Sequence, residues 1–279
     1  MKIEILGSAA CEGIPAAFCR CAVCKAARER GGKELKTRSQ ALIDNDMLVD
    51  LPADTYEHSL LYGFSLASIR YLLITHSHND HFYPTELINR ARHLVSGDMP
   101  ERLDVYCSPY IADRLRAEIG WLNTHGGDNL FFHAVDPFVP FVCGDKRVTA
   151  LPADHNGREG ETPYIYMIER GEKNLLYGTD TASVSEEIWA YFIKCGVRFD
   201  TVVLDGTRAG NTSEPGRHMN AADNAAMKDR MLESGLADEK TRFVSTHFSH
   251  NGGWTHEDAT KHLQAYGIEA AYDGLQIDF

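Results

Sequence analysis

The segment HSHNDH at residues 76–81 constrains this chain more than any other part of its sequence. After the apolar run IRYLLI and Thr75 come three histidines and an aspartate, so four ionisable side chains gather where a predicted strand ends. Packed together without a cation, these groups would repel each other, whereas a divalent metal binds neutral imidazole nitrogens and carboxylate oxygens. The segment therefore predicts a metal site on a rigid scaffold.

Short β-rich runs alternate with helical patterns along the chain, and no repeat, low-complexity tract or linker interrupts them. This alternation is typical of an α/β layered domain whose sheets are covered by helices, and it predicts one domain over residues 1–279. Apolar residues at helical spacing, often with Ser or Thr before them and Gly after them, predict helices over 84–95, 108–122, 185–196, 221–235 and 255–267.

Further polar residues also follow apolar, strand-like runs. Because loops at strand ends commonly carry catalytic and binding groups, we expect these residues to gather near the HSHNDH segment. They are Asp154, His155, Asp180, Asp205 and His247.

The cysteines divide into a cluster and a scattered set. Cys19, Cys21 and Cys24 lie within six residues, CRCAVC, which is a poor disulfide framework and a good start to a metal site in a reducing compartment. The scattered set, which we expect to be small buried hydrophobes, consists of Cys11, Cys107, Cys143 and Cys195.

Net charge and hydropathy limit the function classes. Acidic residues outnumber basic ones by 40 to 28, and the net charge of −12 argues against a protein that binds nucleic acid by neutralising phosphates. No segment approaches eighteen consecutive apolar residues, so neither export nor membrane insertion is indicated. We expect a cytoplasmic protein.

HSHNDH matches the HxHxDH motif of the metallo-β-lactamase superfamily, and GTD at 178–180 and TH at 246–247 follow in the order that this superfamily uses. The resemblance implies an αββα sandwich with two divalent ions at one edge of two facing sheets. One ion would be bound by His76, His78 and His155, and the other by Asp80, His81 and His247, with Asp180 bridging them. Two such ions acidify a bridging water, which favours hydrolysis.

The cysteine cluster and the pair His247 and His250 resemble the phosphoribosyl cyclic phosphodiesterases within that superfamily. The resemblance implies a structural zinc bound by Cys19, Cys21, Cys24 and His250. Three thiolates and one imidazole form a closed tetrahedral site that contributes folding energy. A branch related to pyrroloquinoline quinone biosynthesis carries a similar cluster, so the cysteines alone do not fix the substrate.

The stretch GRHMNAADNAA at 216–226 opens a predicted helix. In the cyclic phosphodiesterases a histidine in this region protonates the leaving alkoxide, which makes His218 the candidate general acid and, with Asp80, a candidate catalytic residue. Arg208 and Arg217 could meet phosphate oxygens or lie at the solvated surface. Asp205 could orient a ligating histidine or cap a turn.

These features favour a metal-dependent phosphodiesterase that cleaves a small cyclic or linear phosphodiester. Another hydrolase of the same fold, such as a thioesterase, lactonase or nuclease, and a non-catalytic carrier of the cofactor-biosynthesis type remain open. All seven ligand positions are occupied by ligand-type residues, which favours catalysis over the carrier. Mixed histidine and carboxylate ligands suit zinc, manganese and iron alike in the cleft, whereas the thiolate-rich site should prefer zinc.

Residues 82–154 contain an aromatic and glycine-rich stretch that could overhang the cleft, form a homodimer contact or complete the edge of the core. The remaining histidines have no matching context, and we expect surface or structural roles for them. They are His58, His93, His125, His133, His256 and His262.

Overall fold

The computed structural model describes residues 1–125, 129–212 and 217–279, with the side chains of residues 124 and 125 left out. Within these ranges, two seven-stranded β-sheets face each other and helices flank them, as the resemblance implied. The strands are β1 (Lys2–Gly7), β2 (Gln40–Ile43), β3 (Met47–Val49), β4 (Tyr71–Leu73), β5 (Leu103–Cys107), β6 (Leu130–Ala134), β7 (Phe141–Cys143), β8 (Lys146–Pro152), β9 (Tyr164–Arg170), β10 (Lys173–Gly178), β11 (Thr201–Asp205), β12 (Arg242–Thr246), β13 (Glu269–Ala270) and β14 (Leu275–Asp278).

The two sheets follow the same plan. The first has the order β14-β1-β2-β3-β4-β5-β6, and the second has the order β13-β12-β11-β10-β9-β8-β7. Each is antiparallel over one half and parallel over the other: β3 to β6 are parallel in the first sheet, and β10 to β13 in the second. Sheets of this kind bind ligands outside the carboxyl ends of their parallel strands.

Alternating side chains build separate apolar layers on the two faces of the first sheet. Ile3 and Ile5 of β1 and Ile43 of β2 point into the layer between the sheets, whereas Leu6 and Leu42 point outward into a second cluster. Because successive side chains point to opposite faces, even a short strand contributes buried residues to both apolar layers.

The helices begin at residues that satisfy their first backbone N–H groups. Ser108, Ser185 and Thr255 accept hydrogen bonds from the third helical residue, and Asn220 forms a capping box with Asp223. The helices are α1 (Ala22–Arg30), α2 (Thr55–Tyr62), α3 (Pro109–Ile119), α4 (Glu186–Cys195), α5 (Ala221–Glu233) and α6 (His256–Gln264), with short 3₁₀ helices at Gly32–Glu34, Leu66–Ser68, Pro84–Arg90, Arg92–Leu94, Gly120–His125 and His250–Gly252.

The predicted helix over 84–95 is two 3₁₀ segments instead, broken at Ala91. Arg90 donates hydrogen bonds to the backbone carbonyls of Glu101 and Asn129, so tertiary contacts hold this segment close to the first sheet and override its helical spacing. The segment 82–154 completes the edges of both sheets, since β6 and β7 are the terminal strands. Among the described helices, none is long and apolar enough to cross a membrane.

Candidate metal centre

Six strands deliver polar residues to one end of the sandwich. Asp50 follows β3, His76 to His81 follow β4, His155 follows β8, Asp180 follows β10, and His247 follows β12, while Asp205 ends β11. Of the residues expected to gather, Asp154 is instead exposed and accepts a hydrogen bond from the Ser183 hydroxyl. The other four lie together here with the HSHNDH segment. Their role as metal ligands stays a prediction, and the geometry below bears on it.

Three histidines form one group, which we call the three-histidine position. Nε2 of His76 lies 2.9 Å from Nδ1 of His78, and Nε2 of His155 lies 3.3 Å from the same Nδ1. Ligand atoms of these three side chains lie within 4.8 Å of one another. All three therefore present nitrogens to a common point.

A second group, which we call the aspartate position, lies beside the first and consists of Asp80, His81 and His247. Nε2 of His81 lies 3.3 Å from Asp80 Oδ2 and 3.2 Å from Nε2 of His247. Asp180 reaches both groups: its Oδ2 lies 2.9 Å from Nε2 of His81, and its Oδ1 lies 3.6 Å from Nε2 of His155. A carboxylate in this place is suited to bridge two ions.

The tautomers of His76 and His81 follow from Asp50, a buried carboxylate that the sequence analysis missed. Asp50 lies 2.6 Å from Nδ1 of His81, which donates a proton to it. The Thr75 hydroxyl donates to Asp50 Oδ1 over 2.9 Å, so Nδ1 of His76 must donate to the Thr75 oxygen, 3.0 Å away. Both imidazoles therefore keep the lone pair on Nε2, which faces the cleft.

Thr207 fixes His247 in the same way. Its hydroxyl donates to the backbone carbonyl of His247 over 2.8 Å, so the imidazole Nδ1 donates to the Thr207 oxygen at 2.7 Å. The Nε2 lone pair of His247 then faces Nε2 of His81. Two acceptors at this distance repel each other unless a proton or a metal ion lies between them.

One further observation indicates that these residues fit divalent metal ions. Asp180 Oδ2 is buried and has no hydrogen bond among the described residues, although imidazole nitrogens of His81 and His247 lie 2.9 and 3.0 Å from it. A buried carboxylate oxygen without a donor is costly, and facing nitrogen lone pairs add repulsion. Metal ions would relieve both.

The charges in the cleft likewise favour cations there. Burial acts to lower the pKa of His247, but the charges of Asp180 and its neighbours outweigh burial and raise that pKa to about 10. Burial likewise opposes ionisation of Asp180, yet His247 and His81 hold its pKa well below the usual value. The carboxylates therefore favour positive charge at these nitrogens, and a metal ion that binds there takes the place of a proton.

His218 and Asp205 form a pair at the rim of the cleft. Nδ1 of His218 lies 2.9 Å from Asp205 Oδ2, and that aspartate, fully buried, also accepts from the backbone N–H groups of Asp180 and Thr207. The His218 ring stacks 5.7 Å from that of His247 and lies 5.0 Å from that of His155 at a tilted angle, and its side chain is 25% exposed. Burial lowers its pKa, but Asp205 and Asp180 outweigh this and raise it.

The cysteine cluster lies on the other side of the chain stretch that carries His247. Sγ of Cys19 and Sγ of Cys21 lie 3.6 and 3.5 Å from Nδ1 of His250, and Cys24 is buried beside them. Backbone N–H groups donate to all three sulfur atoms, from Cys21 to Cys19, from Cys24 to Cys21 and from Ala16 to Cys24. Such donors stabilise thiolates, the form that binds metal.

The pKa values of two cysteines diverge. Burial raises the pKa of Cys21, but the Cys24 backbone N–H, His250 and the neighbouring thiols outweigh it and lower that pKa to about 6. Burial raises the pKa of Cys24 to about 11. His247 and His250 are separated by only two residues, yet the first faces the cleft and the second faces the thiols.

The phosphate contacts predicted for two arginines are not tested by the structure. Arg208 reaches Asp223 at 4.0 Å, and Arg217 is exposed, so a phosphate contact by either remains a prediction.

The scattered cysteines differ in their exposure: Cys107 and Cys143 are buried as expected, whereas Cys11 and Cys195 are exposed. His58 is buried in a structural hydrogen-bond network, and the side chain of His125 lies outside the described residues.

Sequence comparison identifies one family. Residues 63–248 match the model described as a beta-lactamase superfamily domain. Over its whole length the chain is 26% identical to coenzyme PQQ synthesis protein B of Methylorubrum extorquens, with 100% of both chains covered.

Structural comparison gives two whole-chain similarities. A diphosphatase from the PhnP family superposes with a TM-score of 0.73 at 22% identity and covers 100% of this chain and 98% of its own. Zinc-bound PqqB from Methylobacterium extorquens superposes with a TM-score of 0.72 at 18% identity, and both chains are covered in full. At these identities the similarities establish the fold and leave the substrate open.

Proposed function

We propose that this chain, which belongs to the metallo-β-lactamase superfamily, is a metal-dependent phosphodiesterase acting on a small cyclic or linear phosphodiester. The proposal takes His76, His78, His155, Asp180, Asp80, His81 and His247 as ligands of two divalent ions, zinc, manganese or iron. It takes residues 1–279 as one domain, since β1 pairs with β14.

The observation that carries the proposal is the pair formed by Asp205 and His218. The His218 ring stacks on that of His247 and lies at a tilted angle beside that of His155, so it neighbours one histidine of each proposed metal position. Its Nδ1 faces Asp205, so its second nitrogen, Nε2, points away from that carboxylate. A phosphodiester needs an acid at the leaving oxygen because an alkoxide leaves poorly, and imidazole is suited to that role near neutral pH. A carrier protein has no need of such a group.

The proposed roles follow from the contacts of each residue. When bound, divalent ions supply an activated water and offset the negative charge of the phosphoryl oxygens. His218 donates the proton on Nε2 to the leaving oxygen, while Asp205 keeps Nδ1 protonated and holds the ring in place. Asp50 and Thr207 hold His81 and His247 in the tautomer that presents Nε2.

We propose a separate, structural role for Cys19, Cys21, Cys24 and His250 as ligands of one zinc ion. Three sulfur atoms and one imidazole nitrogen within 4.8 Å of one another suit a closed tetrahedral site. Arg28 supports this site because it donates to the backbone carbonyls of Cys19, Cys24 and Ala16.

A second candidate is a role like that of coenzyme PQQ synthesis protein B. The whole-chain identity of 26% and the fold similarity to zinc-bound PqqB favour it. Other reactions of this fold, on thioesters, lactones or nucleic acid, follow as further alternatives. The presence of His218 with its carboxylate partner ranks the phosphodiesterase first.

The first experiment measures hydrolysis of bis-p-nitrophenyl phosphate and 2′,3′-cyclic nucleotides by protein reconstituted with zinc, manganese or iron. Asp180→Ala, purified in parallel, controls for contaminating phosphodiesterases. Turnover that depends on Asp180 supports the proposal and directs the search to cyclic ribose phosphates. No turnover with any of the three metals would contradict it and leave thioesters, lactones and a carrier role to test.

A further inference from the structure

We propose that Glu161 is a positioning residue for the three-histidine position and sets the metal affinity of that position independently of the aspartate position. This inference rests on the proposed function, because it takes two metal ions in the cleft as given. Among the described residues, Glu161 makes no hydrogen bond or ion pair with a proposed ligand side chain; it acts through the two loops that carry His76, His78 and His155.

One carboxylate joins the two loops. Glu161 Oε1 accepts a hydrogen bond from the backbone N–H of Ser77 at 2.7 Å, and Oε2 accepts from the Ser77 hydroxyl at 2.6 Å. Oε2 also accepts from the backbone N–H of Arg158 at 2.9 Å. Charge-assisted hydrogen bonds of this length are among the stronger ones in proteins, so the link between the loops is stiff.

Ser77 is the residue through which this link reaches the ligands. It lies between His76 and His78, and in extended chain successive side chains point to opposite sides. Ser77 is buried and directs its hydroxyl to Glu161, so the imidazoles on either side of it turn toward the cleft. Holding Ser77 by both its backbone and its side chain fixes the direction of both imidazoles.

The second loop, residues 155–161, folds over the Glu161 side chain. Glu161 closes a turn by donating from its own N–H to the carbonyl of Arg158 at 2.9 Å. A Cβ added at Gly157 would lie 3.0 Å from Cγ of Pro163 and 3.1 Å from Cβ and Cγ of Glu161, so a side chain there would push on Pro163 and Glu161. His155, at the start of the loop, is therefore tied to the same carboxylate as Ser77.

The aspartate position depends on other supports. Asp50 holds His81, and Thr207 holds His247. Within the described residues, Glu161 makes no hydrogen bond or ion pair with Asp80, His81 or His247. Loss of Glu161 should therefore loosen one metal position and spare the other, whereas a general loss of stability would affect both.

The test is calorimetric titration with zinc of protein whose cysteine cluster is already loaded and whose cleft is empty. We expect Glu161→Ala to weaken one of the two cleft equivalents by about 10- to 100-fold, the usual cost of losing a residue that orients ligands. The other equivalent should stay within about twofold. Glu159→Ala is the matched control, because Glu159 is an exposed carboxylate on the same loop that makes no hydrogen bond or ion pair with the described residues.

Paired variants identify the position that is weakened. In a His155→Ala background, Glu161→Ala should change zinc binding no further, whereas in a His247→Ala background it should weaken the equivalent that remains. Glu161→Gln, which keeps an acceptor for the Ser77 N–H, should lose less affinity than Glu161→Ala. Gly157→Ala, which leaves the carboxylate intact, should weaken the same equivalent.

Two results would overturn the inference: equal weakening of both cleft equivalents, or unchanged affinities in Glu161→Ala. Wild-type protein that binds fewer than two cleft ions would overturn it together with the two-metal premise. Wild-type protein that binds two ions but hydrolyses no phosphodiester would contradict the proposed function alone. The selective loss in Glu161→Ala would then still support the positioning role.

Discussion

The cleft and the cysteine cluster lie on the two sides of one short stretch, His247 to His250, yet the chain builds them differently. The cleft collects its groups from the ends of strands in both sheets, separated by up to 171 residues along the chain from His76 to His247. The cluster takes three of its four groups from the six residues that begin at Cys19. The cleft therefore depends on the finished sandwich.

This difference predicts a difference in what each centre contributes. In the cleft, sheets and supporting residues such as Asp50 hold the side chains, so removing one ligand should impair chemistry more than folding. In the cluster, an irregular loop has few other supports, so a metal there should contribute mainly stability. The predictions below test that division, from the largest expected effect to the smallest.

The strongest test removes Asp180, which reaches both the three-histidine position and the aspartate position. We expect Asp180→Ala to lower kcat by at least about 10³-fold, because metal ions supply several kcal/mol of charge stabilisation and each 1.36 kcal/mol is tenfold in rate. The thermal midpoint should change little. Asp229→Ala, exposed on α5, is the control. Full activity in Asp180→Ala would contradict the proposal that Asp180 bridges two ions.

Cys21→Ala should show the opposite pattern. It should cost one zinc per chain and about 3 kcal/mol or more of unfolding free energy, while the cleft keeps its ions. Metal analysis and denaturant unfolding measure both quantities, with the exposed Cys195→Ala as control. Unchanged zinc content would refute the structural-zinc assignment, and loss of the cleft ions would show that the two centres are not separable.

His218→Gln separates proton transfer from metal chemistry within the cleft. With poor alkoxide leaving groups the rate should fall by about 10²- to 10⁴-fold, the usual contribution of a general acid. With p-nitrophenolate, which leaves without a proton, the rate should fall much less. His93→Gln, at an exposed histidine, is the control. An equal loss across the leaving-group series would exclude the general-acid role.

His58 provides a comparison with the proposed ligand histidines, because it is buried but we expect it to bind no metal. Nδ1 lies 2.6 Å from Gln40 Oε1, and Nε2 lies 2.7 Å from the Thr37 hydroxyl, so neither nitrogen faces another ligand. Burial lowers the pKa of His58 to about 4, below its unfolded value near 6.5. Its neutral form therefore adds stability above pH 6.5 that is lost as the pH falls toward 4.

The measurement compares unfolding free energies of wild type and His58→Asn between pH 8 and pH 4. The variant lacks this titration, so the difference between the two proteins should shrink by up to about 3 kcal/mol as the pH falls. A chelator should leave that difference unchanged. A difference that stayed constant with pH, or one that depended on metal, would contradict the assignment of His58 as a neutral structural histidine.

Local patterns predicted much of this molecule. Apolar runs located most of the strands, and polar residues at their ends marked His76, His155, Asp180 and His247. Asp50 ends the run MLVD and obeys the same rule, so the signal was present but was not used. Glu161 carried no such signal, because its importance arises from a loop contact that brings together residues 84 positions apart.

The errors in the predicted elements have physical causes. Helix α1 begins at Ala22, and the residue before it, Cys21, caps it with a sulfur that accepts from the Cys24 N–H, so no Ser, Thr, Asp or Asn marked that start. Strand β7 has only three residues and follows a proline-containing turn, so its pairing with β8 decides its conformation. The spacing of apolar residues along the chain gives no information about such contacts.

For protein engineering, the stretch from His247 to His250 behaves as one indivisible unit. A single inserted residue would rotate one imidazole away from its partners. The hydrogen bond from the Phe248 N–H to the carbonyl of Ser8 holds the backbone between the two histidines and opposes a compensating shift. Grafted loops and altered substrate pockets therefore belong elsewhere on the sandwich. Directed evolution of this protein should therefore leave the spacing of these two histidines untouched.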